Sequence, residues 1–214
     1  GETFLVTAGP TREPFDPVRF ITNHSSGKMG YAVAIMARRR GARVILISGP
    51  SSLPPPMDVQ LVAVSSAREM RDAVMRHLDA ATVVVKAAAV ADYRPAVQAR
   101  QKLKKKPGPM AIELERNPDI IAEIGANKNG RIIVGFAMET EDLLENARAK
   151  LETKNMDLIV ANDLQEAGAG FQNETNVIRI IDREGSIESL PLMSKMEAAN
   201  RILDRIKCLL MAKT

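Results

Sequence analysis

The sequence predicts an α/β fold, a three-layer, doubly wound, Rossmann-like and mostly parallel sheet with a C-terminal antiparallel β-hairpin extension. Three observations carry this. Up to residue 161, apolar runs of strand length alternate with segments of helical period, the order that builds a parallel sheet covered on both faces. The gaps between runs hold recognisable helix boundaries. Past the sixth run the alternation stops, and two strand-like segments flank Arg183-Glu184-Gly185, a hairpin signal. Residues 1–214 are read as one domain.

The strands are expected at Phe4 to Ala8, Arg43 to Ser48, Val59 to Val64, Thr82 to Ala88, Arg131 to Ala137 and Asp157 to Ala161. A first helix runs from Lys28 to Arg40 and stops at Gly41. Ser66 and Glu69 form a capping box for a second helix through Ala80. Asn117 and Pro118 read as N-cap and first residue of a third. Thr140 opens a fourth, to about Asn155. Asn176 to Asp182 and Ser186 to Leu190 make the hairpin, and Ser194 with Glu197 caps a last helix to Met211.

Two stretches of about 20 residues, Pro10 to Gly27 and Ala89 to Pro109, show no periodicity, and loops of that length in compact domains are functional or disordered. They follow the first and fourth strands. In a doubly wound sheet those strands are neighbours at the switch point, where ligands bind beyond the carboxyl ends.

Thirty Lys and Arg against 26 Asp and Glu give a formal charge of +4, and Lys102, Lys104, Lys105 and Lys106 account for all of it. The rest of the chain is balanced. This argues against a basic coat for nucleic acid or a membrane, and poses instead a local anion site in the second long loop. Apolar residues at 45% and charged residues at 26% are ordinary for a soluble domain, and nothing approaches an apolar run of 18. One cysteine, Cys208, and two histidines, His24 and His77, leave no internal disulfide and little for a metal cluster. Cys208 among Ile202, Ile206, Leu209 and Leu210 reads as core packing. With no signal peptide ahead of the first strand, the cytoplasm is the expected compartment.

Asn23-His24-Ser25-Ser26-Gly27-Lys28 lies where a loop turns into a helix, and free N–H groups there suit a phosphate. Capping of the helix by Ser25 or Ser26 is an equally good reading of the spacing. Neither a Walker A loop nor a dinucleotide fingerprint is present. Ala87-Ala88-Ala89-Val90-Ala91-Asp92 leaves the fourth strand on small side chains, so a flat ligand can lie on the backbone with Asp92 reaching a sugar hydroxyl or a metal. Tight helix packing explains the same residues. Lys86, within an apolar strand, has a plain explanation as an end-of-strand lysine with its head in water. Aromatics make only 3% of the chain, too few for the stacking platforms of a single-strand binder, so the lysine run suits a small polyphosphate better.

Seven ordered motifs then coincide with one family: Thr7-Ala8-Gly9-Pro10-Thr11-Arg12-Glu13-Pro14, Asn23-His24-Ser25-Ser26-Gly27-Lys28-Met29-Gly30, Ala88-Ala89-Val90-Ala91-Asp92-Tyr93, Lys102-Leu103-Lys104-Lys105, Asn117-Pro118-Asp119-Ile120, Val134-Gly135-Phe136 and Ala161-Asn162-Asp163. Over nearly its whole length the chain resembles bacterial phosphopantothenoylcysteine synthetases, CTP-dependent ligases of coenzyme A synthesis. The resemblance implies that the carboxylate of 4'-phosphopantothenate attacks the α-phosphorus of CTP and that cysteine then displaces CMP from the acyl-cytidylate, with Mg²⁺ on the phosphates. It implies catalytic roles for Lys102, on the departing pyrophosphate, and Asn23, at the acyl-cytidylate. It places CTP on Lys86, Ala87, Ala88, Asp92, Lys102, Pro118, Asp119, Ile120, Ile121, Phe136, Lys150 and Lys154; Lys86 itself stands where a smaller residue is expected. Ser25, Ser26 and Gly27 form the phosphate loop, Arg19, His24 and Arg94 are weaker candidates for the substrate phosphate, and the metal ligands are left open. Such proteins are homodimers, with residues 176–190 as the suggested contact, and are commonly fused to a flavin-dependent decarboxylase; FMN would belong to that half alone. The competing class, an NAD(P)-dependent reductase on a similar sheet, lacks its glycine fingerprint, the carboxylate after the second strand and a Tyr-x-x-x-Lys pair.

Overall fold

The computed structural model describes residues 1–105, 107–138, 143–162 and 173–213; Lys106, Thr140 and Asp163, all named above, lie outside the described residues. Its centre is an eight-stranded sheet. The parallel strands are β1 (Thr3–Ala8), β4 (Arg43–Ser48), β5 (Gln60–Ala63), β6 (Val83–Lys86), β9 (Ile132–Met138) and β10 (Leu158–Asn162), and β11 (Thr175–Asp182) and β12 (Ile187–Ser194) run antiparallel at one edge. The order β12-β11-β10-β9-β6-β1-β4-β5 places β1 between β6 and β4. Chain direction reverses its march across the sheet there, so the crevice of a doubly wound sheet opens above β1 and β6.

Alternation along each strand divides the core in two. Phe4, Val6 and Ala8 face helices α1 (Lys28–Arg39) and α5 (Lys195–Met211), while Leu5 faces α2 (Ala67–His77), α3 (Ile120–Ala126) and α4 (Leu143–Thr153). Both anticipated capping boxes form: Ser66 Oγ accepts from Glu69 N at 3.3 Å and Ser194 Oγ from Glu197 N at 3.2 Å, each glutamate reaching back to its cap. Gly41 follows α1 at φ 88°, and Gly185 turns the β11–β12 hairpin at φ 83°.

Four sequence expectations need correction. The N-cap of α3 is Asp119, not Asn117: Asp119 Oδ1 accepts from Ala122 N at 3.2 Å, whereas Asn117 spends its side chain on Ala91 O and Arg94. The cap of α1 is Gly27, at φ 83° and without a side-chain cap bond; Ser25 Oγ accepts from Gly27 N at 3.3 Å in the preceding turn. Cys208 is exposed, because the buried stripe of α5 runs through Ala199, Ile202 and Ile206 and a residue two further on points away from it. The long loops are also structured. They carry the ribbons β2 (Arg12–Pro14) with β3 (Phe20–Thr22) and β7 (Tyr93–Pro95) with β8 (Leu114–Arg116), whose three-residue strands are too short for a legible alternation.

Candidate functional site

Above β1 and β6 the backbone leaves the sheet. The β1–β6 ladder ends at Thr7 and Lys86, after which Ala87 N donates to Thr7 O at 3.2 Å and Ala88 N to Thr7 Oγ1 at 3.2 Å. Side chains of the first long loop then stitch the second in place. Thr11 Oγ1 accepts from Ala91 N at 3.0 Å, and Asn23 Nδ2 donates to Ala89 O at 2.8 Å. Farther out, the buried Glu13 accepts from Ala67 N at 3.0 Å and ties the same loop to α2. One amide hydrogen of Asn23 is thus spent on orientation, and the other is left for a ligand.

Helix α1 comes down on this region at very close range. A Cβ on Gly30 would meet Ala8 Cβ at 2.6 Å and Thr7 O at 2.9 Å, so glycine sets the approach. Its first-turn N–H groups have no intrahelical acceptors and suit an anion.

Two cavities result, of about 470 and about 330 Å³, and Lys86, Val90 and Asp92 line both. Asn23, His24, Ser25, Ser26, Gly27, Ala87, Ala88 and Phe136 border the larger. Pro118, Asp119, Ile120, Ile121 and Lys154 border the smaller. The common wall is charged. Burial lowers the pKa of Lys86 and the neighbouring Lys154 lowers it further, against the opposing pull of Asp119 and Asp92; the ammonium of Lys86 makes no hydrogen bond or ion pair with any described residue. Burial works against ionisation of Asp119, but its bond from Lys154 Nζ at 3.0 Å and that from Ala122 N outweigh burial and hold the carboxyl below its ordinary value. Asp92 is exposed, and its side chain makes no hydrogen bond with a described residue, which leaves its carboxylate for a hydroxyl or a cation.

Four of the residues named from sequence border neither cavity. Lys102 is exposed on its loop, and Lys150 lies on α4. Arg19 is bound to Asp16 Oδ2 at 2.6 Å, and Arg94 to Glu115 Oε1 at 2.8 Å, to Arg116 O and to Asn117. Both arginines brace the loops. Among the described residues no three His, Cys, Asp or Glu come together as a metal-ion group. No described helix is long and apolar enough to cross a membrane.

Sequence reasoning gave no individual binding role to Lys28, Asn162, Asn176 or Lys195, although the first two lie in quoted motifs, and all four border the larger cavity. Asn176 left a signal, since it occupies the inward register of β11 shared by Ile178 and Ile180, where a polar side chain needs a reason. Lys195 gave none beyond following the cap Ser194.

Fold and crevice together define a Rossmann-like α/β domain with two adjoining cavities at the switch point of its sheet. The model of the DNA/pantothenate metabolism flavoprotein C-terminal domain matches residues 1–209, and the chain belongs to that family. The coenzyme A biosynthesis bifunctional protein CoaBC of Bacillus subtilis (strain 168) is 50% identical over 210 residues, 98% of this chain and 52% of that protein. The chain thus spans about half the length of the curated relatives it matches. A crystal structure of the C-terminal domain of coenzyme A biosynthesis bifunctional protein CoaBC superposes with a TM-score of 0.86 at 45% identity, covering 99% of this chain and 98% of that one. A Cab2 H337A variant in complex with phosphopantothenate-cysteine shares the fold at TM-score 0.77 and 18% identity, covering 100% of this chain and 89% of that one.

Proposed function

We propose that this chain joins 4'-phosphopantothenate to L-cysteine at the expense of CTP, as the ligase half of a coenzyme A biosynthesis protein. The observation that carries the reading is the wall of Lys86, Val90 and Asp92 shared by two cavities, one at the start of α1 and one at the start of α3. Two ligands placed on either side of that wall meet across it. A nucleotide fits the smaller cavity, against Pro118 to Ile121 and Lys154, with its phosphates toward Lys86 and Asp92. The acyl substrate fits the larger, its terminal phosphate on the N–H groups at Ser25 to Gly27 and its carboxylate toward the wall.

The chemistry is two displacements. A carboxylate oxygen attacks the α-phosphorus, the bond from that phosphorus to the bridging oxygen breaks, and pyrophosphate leaves with the electron pair. The neutral amine of cysteine then attacks the acyl carbon, the carbon–oxygen bond to CMP breaks, CMP leaves, and the amine proton passes to solvent. Cations favour the first leaving group; Lys86 stands at the shared wall for that role, and Lys102, on its loop outside both cavities, would take it by reaching in from there. The remaining N–H of Asn23 donates to the oxygen that gains charge in the second step. Mg²⁺ would neutralise the phosphates; Asp92 would be a carboxylate for it, and hard cations of this kind accept one or two carboxylates beside phosphate oxygens.

The relatives' bifunctional name supports a flavin decarboxylase partner half, which would hold any FMN. Homodimerisation through residues 176–190, using the sheet edge of β12, and a cytoplasmic setting complete the proposal. Its test is direct. Purified protein with CTP, Mg²⁺, 4'-phosphopantothenate and cysteine is expected to release pyrophosphate and CMP, and absence of CMP at saturating substrates would overturn the reading.

A further inference from the structure

The sheet face that packs on α1 and α5 is apolar along β10 and β11 until it reaches the larger cavity. Leu158 and Val160 on β10, and Ile178 and Ile180 on β11, are fully buried on it. At the cavity the same two rows of side chains turn polar, as Asn162 and Asn176. Asn176 is only 3% exposed, and a polar group buried that deeply needs partners for its atoms.

The two asparagines supply only part of that need. Asn176 Nδ2 donates to Asn162 Oδ1 at 3.0 Å, whereas Asn176 Oδ1, wholly buried, has no hydrogen-bond partner. The amide hydrogens of Asn162 make no hydrogen bond with a described residue. An acceptor and a donor are thus left side by side at the cavity, and a buried acceptor without a donor is costly enough to call for one from a ligand. An ionised phosphate or carboxylate can only accept. A hydroxyl satisfies both atoms at once, donating to the oxygen and accepting from the nitrogen.

Position selects which hydroxyl. Asn176 stands three strands from Lys86, roughly 14 Å at ordinary strand spacing, so a group bonded there is not at the wall where the acyl carbon reacts. The start of α1 is close by, because Lys28 is bonded to Glu174, two residues before Asn176. With its carboxylate at the wall and its phosphate on Ser25 to Gly27, 4'-phosphopantothenate brings its secondary hydroxyl to this end, one quaternary carbon away from the carbon that bears the phosphate. The five bonds from carboxyl carbon to carbinol carbon cover about 6 Å when extended, and the hydroxyl, its hydrogen bond and the side chain of Asn176 cover most of the rest. We infer that Asn176 and Asn162 read the secondary hydroxyl of the acyl substrate, Asn176 Oδ1 accepting its hydrogen and Asn162 Nδ2 donating to its oxygen. This rests on the ligase reading and deepens it. Neither residue touches the reacting atoms; together they select the acyl substrate and fix its far end.

The experiment compares 4'-phosphopantothenate with the analogue that has hydrogen in place of the secondary hydroxyl. The parent protein is expected to favour the natural compound about tenfold or more in kcat/KM for acyl-cytidylate formation, because a site built to bond a hydroxyl rejects the analogue lacking it. In Asn176→Leu that preference is expected to shrink to about twofold or less, with KM for CTP and for cysteine unchanged. A loss of purely structural origin would lower both compounds equally and keep the preference, and that result would overturn the inference, as would a parent protein without any preference. If the parent releases no CMP from CTP, the ligase reading fails on its own, and calorimetry of the two compounds with parent and Asn176→Leu still decides the subsite. Tighter binding of the hydroxyl compound that Asn176→Leu abolishes retains it; equal binding of both compounds by the parent, or none, overturns it. Should Asn176→Leu not fold, Asn176→Ala and Asn162→Ala carry the same comparison.

Discussion

Asp16 Oδ2 accepts the backbone N–H of Leu103 at 3.1 Å, joining the first long loop to the second across 87 positions of sequence. The same carboxylate binds Arg19, whose guanidinium in turn donates to Leu103 O at 3.2 Å. Leu103 is therefore held by both its backbone groups, and its neighbour Lys102 is exposed beside that anchor. The Arg19 guanidinium beside Asp16 keeps this carboxyl far below the usual carboxylate range, with the N–H groups of Val18, Leu103 and Arg19 helping against burial. Asp16→Asn is expected to lower acyl-cytidylate formation by raising KM for CTP more than it changes cysteine capture. A carboxyl depressed in the folded state stabilises above its ordinary value of 3.8, and that stability is lost as pH falls toward the folded value. Thermal melts between about pH 5 and about pH 2 should accordingly fall less steeply for Asp16→Asn than for the parent, and parallel curves would contradict the role given to Asp16.

Lys102 and Asn23 are expected to fail at different steps. Lys102→Ala removes a cation from the pyrophosphate and should block acyl-cytidylate formation. Asn23→Ala removes the second N–H while the loops keep Thr11 as a stitch, so it should form the intermediate and capture cysteine slowly. Losing one such donor costs about 10²- to 10³-fold where charge develops. Single-turnover mass spectrometry distinguishes the two, and equal loss of both steps in both variants would refute the division of labour.

Lys86 makes the clearest pH prediction. An ammonium whose pKa is lowered on folding gives up its proton more readily in the folded protein, so stability rises with pH from the folded value up to the ordinary 10.5, and below the folded value the burial penalty stands in full. Lys86→Met should melt higher than the parent at neutral pH in the absence of nucleotide, and the difference should shrink toward about pH 10. The same variant should bind CTP more weakly by calorimetry. A difference in melting temperature that does not vary with pH would show that Lys86 is not the group responsible.

The legibility of this molecule follows the range of its interactions. Strands such as Arg43 to Ser48, and the caps at Ser66 and Ser194, are decided by residues within a turn of one another, and the sequence displays them openly. The switch point was legible because chain order alone places β1 beside β6. The ribbons β2–β3 and β7–β8 were not, because they are held by Asp16, Glu13, Thr11 and Asn117 reaching partners far along the chain, and no window of sequence shows such a bond. Asn117 was misread for the same reason: an asparagine before a proline looks like a cap until Ala91 O claims it. Arg19 and Arg94 looked like phosphate ligands because a sequence shows charge without showing the partner that occupies it. Lys195 and Asn176 belong to the cavity only through the packing of α5 and the edge of β11, which no motif spacing encodes.

Gly30 links stability and site in one position. A methyl group there would lie 2.6 Å from Ala8 Cβ and 2.9 Å from Thr7 O, and the backbone oxygen cannot yield without breaking the turn that also holds Ala87 N. Helix α1 must therefore rise, and overpacking of this kind costs about 1–3 kcal/mol. Rising carries Ser25 to Gly27 away from the cavity and separates the first-turn N–H groups from any phosphate they hold. Gly30→Ala should thus melt several degrees lower and raise KM for 4'-phosphopantothenate more than KM for CTP, whose contacts on α3 lie across the wall. Gly41→Ala serves as a control. It alters the glycine that follows α1, at φ 88°, where nothing lies within 4 Å of the added carbon and the start of the helix is untouched. It should cost stability and leave both KM values as they were. If Gly30→Ala changes the melting point alone, the start of α1 does not hold the substrate phosphate.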